Sequence, residues 1–355
     1  MTSVNIFKNK KFPFWSDTLK NSFFFLPLTI GAALALSACG GGGSSSDSAP
    51  TNTSQQSTRS SITAENAAQA ASNAYGAAAS ISASSSIVGA VLTGVSIDGP
   101  GVSTVAPALG IIKRAYSKGS MKLLTGVSMS ETCSGGGTLS INGNVHSETG
   151  ASNGDIITFA ANNCVEYGET INGSFTIGLS GINGAAFTGI AWNATIDAQF
   201  NEFSVTTGDE TVAASGDMKI AVTQISATSN SVVISGTKFQ MSLTAADVNV
   251  AERTLLDYSV AETSQGACSS SVNYTMTGSS KALGQFAYSV TTLQPFSSVN
   301  CGQFTSGAMI VNGASSSVTM TILDASSIRL DYSAHADGVV TKTHTLGWAS
   351  FKCSL

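Results

Sequence analysis

Residues 190–200 read Ile-Ala-Trp-Asn-Ala-Thr-Ile-Asp-Ala-Gln-Phe, so Ile190, Trp192, Ala194, Ile196, Ala198 and Phe200 alternate with Asn193, Thr195, Asp197 and Gln199. A period of two belongs to a half-buried β-strand, because successive side chains point to opposite faces. Residues 238–245 repeat the pattern, with Phe239, Met241, Leu243 and Ala245 set between Lys238, Gln240, Ser242 and Thr244. It recurs at 173–180, 217–223, 271–277, 285–291, 316–323, 327–333 and 338–348, separated by Gly, Ser, Asn and Asp clusters that read as turns. One wetted face per strand implies antiparallel pairing, since parallel strands are covered on both faces and read as continuous apolar runs. The expected fold class is mainly β: a large antiparallel sheet system over residues 129–355, curved or folded into a sandwich. Trp192 and Trp348 fall within alternating strands and read as core.

Ahead of the sheet, residues 61–128 read as short Ala-rich helices. From Thr63 to about Val95 Ala and Ser dominate, with Thr63 placed to cap a helix and Glu65 in its first turn. A second candidate runs from about Pro107 to Lys118, with Leu109, Ile112 and Tyr116 on one face, after a turn at Asp98-Gly-Pro-Gly101. Helices with so few large side chains bury little by themselves, so they are expected to pack on the sheet.

The first 38 residues read as an export leader. Lys8, Lys10, Lys11 and Lys20 precede an uncharged apolar core, Phe23 to Leu36, which ends in Leu36-Ser37-Ala38-Cys39. That ending matches the lipobox of bacterial lipoproteins, in which the cysteine thiol receives a diacylglycerol. A spanning helix needs about 20 apolar residues, more than the roughly 14 between the lysines and the small-residue site. Gly40 follows the cysteine where an Asp would favour inner-membrane retention, so the outer membrane is the expected location. Residues 39–60, with Gly40 to Gly43 and Ser44 to Ser46, form a tether too polar to fold. At about 5–6 Å times the square root of its length, it holds the folded part roughly 25 Å from the bilayer.

Composition narrows the function classes. Of 355 residues 42% are hydrophobic and only 10% charged, and 16 Lys plus Arg against 21 Asp plus Glu give a net charge of −5. The leader removes four of the basic and one of the acidic residues, leaving 12 against 20 and a net −8. Such a chain has no electrostatic attraction to nucleic acid.

Six cysteines are present. With Cys39 assigned to the lipid, Cys133 stands before a strand near 137–146 and Cys164 after one near 155–161. Cys268 and Cys301 flank 271–277 and 285–291 in the same way. In an antiparallel hairpin the start of the first strand lies beside the end of the second, so Cys133 is expected to bridge Cys164 and Cys268 to bridge Cys301, both pairs on a common sheet end. Each loop of about 32 residues would stabilise by roughly 3–4 kcal/mol. Cys353 is left over, or takes the place of Cys301 beside Cys268. The similar spacings, together with Leu256-Asp-Tyr-Ser259 and its echo Leu330-Asp-Tyr-Ser333, suggest an internal duplication.

Cys133-Ser-Gly-Gly-Gly-Thr, Gly154-Asp155-Ile156, Asn163-Cys164, Ile171-Asn172-Gly173, Tyr288-Ser-Val-Thr-Thr, Pro295-Phe296, Ser306-Gly307 and Val311-Asn312-Gly313 together resemble a group of uncharacterised exported β-rich lipoproteins of Gram-negative bacteria. The likeness spans about 120–353. It implies an Asp/Gly-rich turn before a final strand with a Trp, here Asp331 to Gly338 and Trp348, with the acidic run thinned. It implies no activity.

Candidate chemistry is sparse. His146, His335 and His344 are the three imidazoles, and an Asp/His ion site can be drawn from His335, His344, Asp324, Asp331 and Asp337. Asp209-Glu210 and the Glu166/Glu169 pair offer carboxylates, but in segments that read as solvated turns. No nucleophile elbow, zinc-protease helix or phosphate loop occurs. The expectation is a non-enzymatic, lipid-anchored envelope module, without cofactor or structural metal, acting on a protein, glycan or lipid partner. The alternative is a carrier of a lipid or other apolar ligand in a concave sheet.

Overall fold

Trp192, Ala194, Ile196, Ala198 and Phe200 are buried as the alternation requires, although Ile190 is exposed, and the strands pair strictly in sequence order. The computed structural model describes residues 59–93 and 127–352, except 147–150, 167, 187–189, 227, 247 and 300–302. The leader, Cys39, most of the tether, the 107–118 helical candidate, Cys301 and Cys353 lie outside the described residues. One helix, α1 (Ala67–Thr93), precedes fourteen strands. These are β1 (Val127–Thr132), β2 (Thr138–Asn144), β3 (Ile156–Glu166), β4 (Glu169–Gly184), β5 (Trp192–Thr207), β6 (Glu210–Ser226) and β7 (Ser229–Ala245), followed by β8 (Val248–Gln265), β9 (Ala267–Ser280), β10 (Gly284–Val299), β11 (Ser306–Asn312), β12 (Ser317–Ile322), β13 (Ser327–Ser333) and β14 (Lys342–Gly347). A short helix, α2 (Trp348–Lys352), ends the described chain. All fourteen strands lie in one antiparallel sheet ordered β1 to β14, which is not closed among the described residues.

A single transverse row shows how the inner face is built. Met129, Ile141, Phe159, Phe175, Phe200, Gly216, Phe239, Leu255, Met276 and Tyr288 are successive register partners from β1 to β10. Its aromatic members touch directly: Phe159 and Phe175 stack at 4.8 Å and Phe175 and Phe200 at 5.9 Å between ring centroids. Cross-strand aromatic pairs of this kind stabilise a sheet by a few tenths to about 1 kcal/mol each. The opposite face carries Thr, Ser and Asn, with Thr158 and Thr176 joined at 2.9 Å and Thr206 and Thr211 at 2.8 Å.

The strands are longer than the alternation suggests, because bulges reset the period. In β5, Phe200 and Phe203 are both buried although three residues apart. Between them Glu202 takes φ +48° and the pairing with β6 shifts. Extra residues also lie at Asn163 in β3, between Ser235 and Phe239 in β7 and at Asp257 in β8, with Gly173 of β4 and Gly216 of β6 standing opposite the bulges of their neighbours; together they form a belt across the sheet, where each bulge bends its strand. Neighbouring side chains tie the belt together: Asn163 N donates to Asn172 Oδ1 at 2.7 Å and Glu202 N to Ser215 Oγ at 3.1 Å. At Gly173 the close approach is specific, since a Cβ there would stand 2.1 Å from the Glu202 carbonyl oxygen.

The sheet curls around α1. From Ala67 to Ile81 no residue of the helix is exposed, although Gln69, Ser72 and Asn73 interrupt its alanines. It touches β7, β8, β11, β12 and β13. In a flat sheet with strands about 4.8 Å apart, β7 and β13 would stand nearly 30 Å from each other, far beyond the roughly 10 Å width of a helix. Alanine at 67, 70, 71, 74, 77 and 78 lets the strands come close. The expected cap is present in reciprocal form: Thr63 N donates to Asn66 Oδ1 at 2.8 Å, and Asn66 N to Thr63 Oγ1 at 3.3 Å.

Three expectations are corrected. The last strand ends at Gly347, and Trp348, buried as expected, opens α2 because its backbone N turns back to Ser326 O at 3.0 Å. The Leu-Asp-Tyr-Ser echoes are not equivalent: β8 and β13 run in opposite directions, and burial favours Tyr258 in one and Leu330 in the other. The two cysteine regions also lie at opposite ends of the sheet. Cys133 and Cys164 are at the end that carries the β1–β2 and β3–β4 turns, whereas Cys268, at the start of β9, is at the other, because β2 and β9 run antiparallel.

Candidate functional site

Three successive residues of α1 bond to three different elements, as 100° steps around an enclosed helix require. Ser72 Oγ donates to Phe351 O of α2 at 2.8 Å. Asn73 Oδ1 accepts from Arg253 Nε of β8. The Ala74 carbonyl accepts from the Tyr274 hydroxyl of β9. Tyr75 then meets Phe296, Trp348 and Phe351, with ring centroids 6.1, 5.4 and 6.1 Å away. Burial pushes its phenol up to about 12.

Arg253 is the one cation on this inner face among the described residues that bonds to the helix. It occupies the register of Ala251 and Leu255, both buried, and its partners across the ladder are Met241 and Gly278. Its neighbour Glu252 faces the other way and accepts from Gln240 Nε2 at 2.6 Å. Burial raises the Tyr274 hydroxyl, an effect the nearby guanidinium opposes. Asn73 is 3% exposed, and its Nδ2 has no partner among the described residues; nor has the buried Oε1 of Gln69, one turn earlier. Buried polar atoms are nearly always satisfied, so this cluster, like Ser298 Oγ of β10, is a chemically unfinished place among the described residues. The sequence held a signal for it, an arginine at an apolar position of the Ala251, Arg253, Leu255 alternation, but β8 was not among the expected strands.

The expected site residues are placed as follows. Cys133 and Cys164 form a disulfide, with Cα atoms 5.4 Å apart. Cys268 is also disulfide-bonded, and it stands opposite Ser298 of β10. The carboxylates drawn into an ion site are each used by their own turn. Asp324 accepts from the backbone and hydroxyls of Ser326 and Ser327 at 2.7–2.9 Å, which lowers its pKa to about 2. Asp337 accepts from Val339 N and Ser333 Oγ, and Asp331 from Thr343 Oγ1 and Arg329 Nε. His344 pairs in register with Leu330 on β14, and no three metal-ligating side chains converge among the described residues. Glu166 accepts from Ser134 N and Oγ, both at 2.9 Å, while Glu169 and the Asp209-Glu210 pair stand at separate strand ends. His146 Nδ1 lies 2.9 Å from Asp155 Oδ1, a pairing the sequence did not announce. Asp155 also accepts from the backbone N of His146 and Ser152, so it closes the β2–β3 hairpin.

No helix among the described residues is long and apolar enough to cross a membrane. Comparison of the chain with family models, curated proteins and solved structures finds no match.

Proposed function

We propose that the chain is a lipid-anchored envelope protein, acylated at Cys39 and carried to the outer membrane, where it works as a non-catalytic structural or interaction module. The anchor rests on Leu36-Ser37-Ala38-Cys39 and the polar stretch that follows. The non-catalytic reading is carried by one observation: Asp324, Asp331 and Asp337, the carboxylates drawn with His335 and His344, are each engaged in capping or bracing their own hairpins. General acid–base work needs a positioned group not already committed to the scaffold. Metabolic labelling with palmitate tests the anchor: Cys39→Ser should abolish the label, and persistent labelling of that variant overturns it. A double His335→Ala, His344→Ala variant should keep the fold and any envelope phenotype; selective loss of the phenotype at unchanged stability overturns the non-catalytic reading.

A second reading, the carrier of an apolar ligand, is favoured by the unfinished polar pair of Arg253 and Asn73. A scaffold that serves only as a docking surface has no use for a guanidinium turned toward its core.

A further inference from the structure

We infer that Arg253 is an anion-binding group and that, with the Asn73 amide, it takes the carboxylate of an apolar acid at the inner face of the sheet. The inference rests on the carrier reading. A guanidinium has five N–H donors, and among the described residues only Nε is engaged, by Asn73 Oδ1. No carboxylate among the described residues reaches it.

The second observation is independent of the first. Asn73 is almost wholly buried, yet its Nδ2 donor is unpartnered. The opposite assignment of the amide would turn that donor against the Arg253 N–H, so the guanidinium fixes the orientation. Asn73 Nδ2, without a partner among the described residues, and the solvent-reachable donors of the guanidinium thus lie at one amide, and the complement of such a set is an acceptor-only group.

Two features select a carboxylate on an apolar body. A planar two-oxygen acceptor matches the guanidinium fork, and a monoanion is cheaper to dehydrate than a phosphate dianion. The surrounding inward-facing side chains are Met241, Leu255, Met276 and Phe286, which suit hydrocarbon. Arg253 itself is only part-buried, so the guanidinium is reachable from solvent.

The test is calorimetric titration of the purified mature chain with decanoate, decanol, acetate and inorganic phosphate, repeated with Arg253→Met and Asn73→Asp. Decanoate should bind at least tenfold more tightly than decanol, and Arg253→Met should remove that advantage. Asn73→Asp supplies an internal carboxylate, so it should abolish decanoate binding and raise the melting temperature; it serves equally if Arg253→Met fails to fold. Equal binding of decanoate and decanol, unchanged in Arg253→Met, overturns the assignment of Arg253 while leaving the carrier reading standing. Absence of binding in every arm overturns both. Phosphate binding more tightly than decanoate overturns the choice of a carboxylate.

Discussion

Phe200 of β5 and Phe239 of β7 meet edge to face, ring centroids 5.5 Å apart, although β6 runs between them. The contact exists because the β6 residue in their row is Gly216, which has no side chain to separate the rings. Gly216 sits at φ +122°, and a Cβ there would stand 2.1 Å from the Lys238 carbonyl oxygen. Gly216→Val should therefore combine backbone strain with displacement of both rings and cost about 2–4 kcal/mol in denaturant unfolding. A cost comparable to that of an exposed strand substitution would show that the row is not continuous through β6.

Asp217, next in the chain, braces the bend of β7. Its carboxylate accepts from Thr237 N at 2.8 Å, Thr237 Oγ1 at 2.8 Å and Lys238 N at 2.9 Å. Burial pulls its pKa up, but these three hydrogen bonds outweigh that and hold it below the ordinary carboxylate value. The unfolded chain therefore takes up this proton first on acidification. The stabilisation is complete above the usual Asp range and disappears as pH falls through the lowered folded value. Asp217→Asn should lower stability at neutral pH by about 1–3 kcal/mol and flatten its decline with acid, as followed by thermal melts across pH.

Replacing Cys133 and Cys164 with Ser opens a loop whose ends are 31 residues apart and should cost roughly 3–4 kcal/mol in the chain-entropy account. At the other end of the sheet, Cys268 faces Ser298, three residues before Cys301. Non-reducing peptide mapping should join Cys268 to Cys301; a peptide joining it to Cys353 would refute the hairpin argument there.

The small side chains of α1 set its distance from the sheet. Ala74, 0% exposed, sits at the turn whose carbonyl is held by Tyr274. Ala74→Leu should destabilise by about 1–3 kcal/mol through overpacking, despite leucine's good helix propensity. A neutral or stabilising result in equilibrium unfolding would reveal space around the helix.

Alternation made the architecture legible: β5 and the second half of β7 follow the period-two reading of residues 190–200 and 238–245 nearly residue by residue. What it hid were the lengths, because a bulge such as that at Glu202 shifts the apolar positions by one and breaks the run into fragments. β8 was hidden more completely, since Glu252, Arg253, Asp257 and Glu262 mask its apolar face. Asp257, at φ +47°, also breaks the phase between Leu255 and Tyr258. The enclosure of α1 was only half legible. Its alanines announce a close approach, but the partners of Ser72, Asn73 and Ala74 lie 180 to 279 residues away, a range that no local pattern encodes.

The hydrogen bond from Ser72 to the carbonyl of Phe351 has a kinetic meaning. Hairpins joining sequential neighbours zip locally and quickly, whereas contacts that span most of a chain close late. During synthesis α1 emerges before the residues that seal it. Until the strands have curled and α2 has arrived, an alanine-rich segment with few large side chains has little to hold it folded. Docking of the helix thus draws on residues from both ends of the described chain, and a chain halted before Trp348 lacks the Phe351 carbonyl that holds Ser72 and the two rings that meet Tyr75.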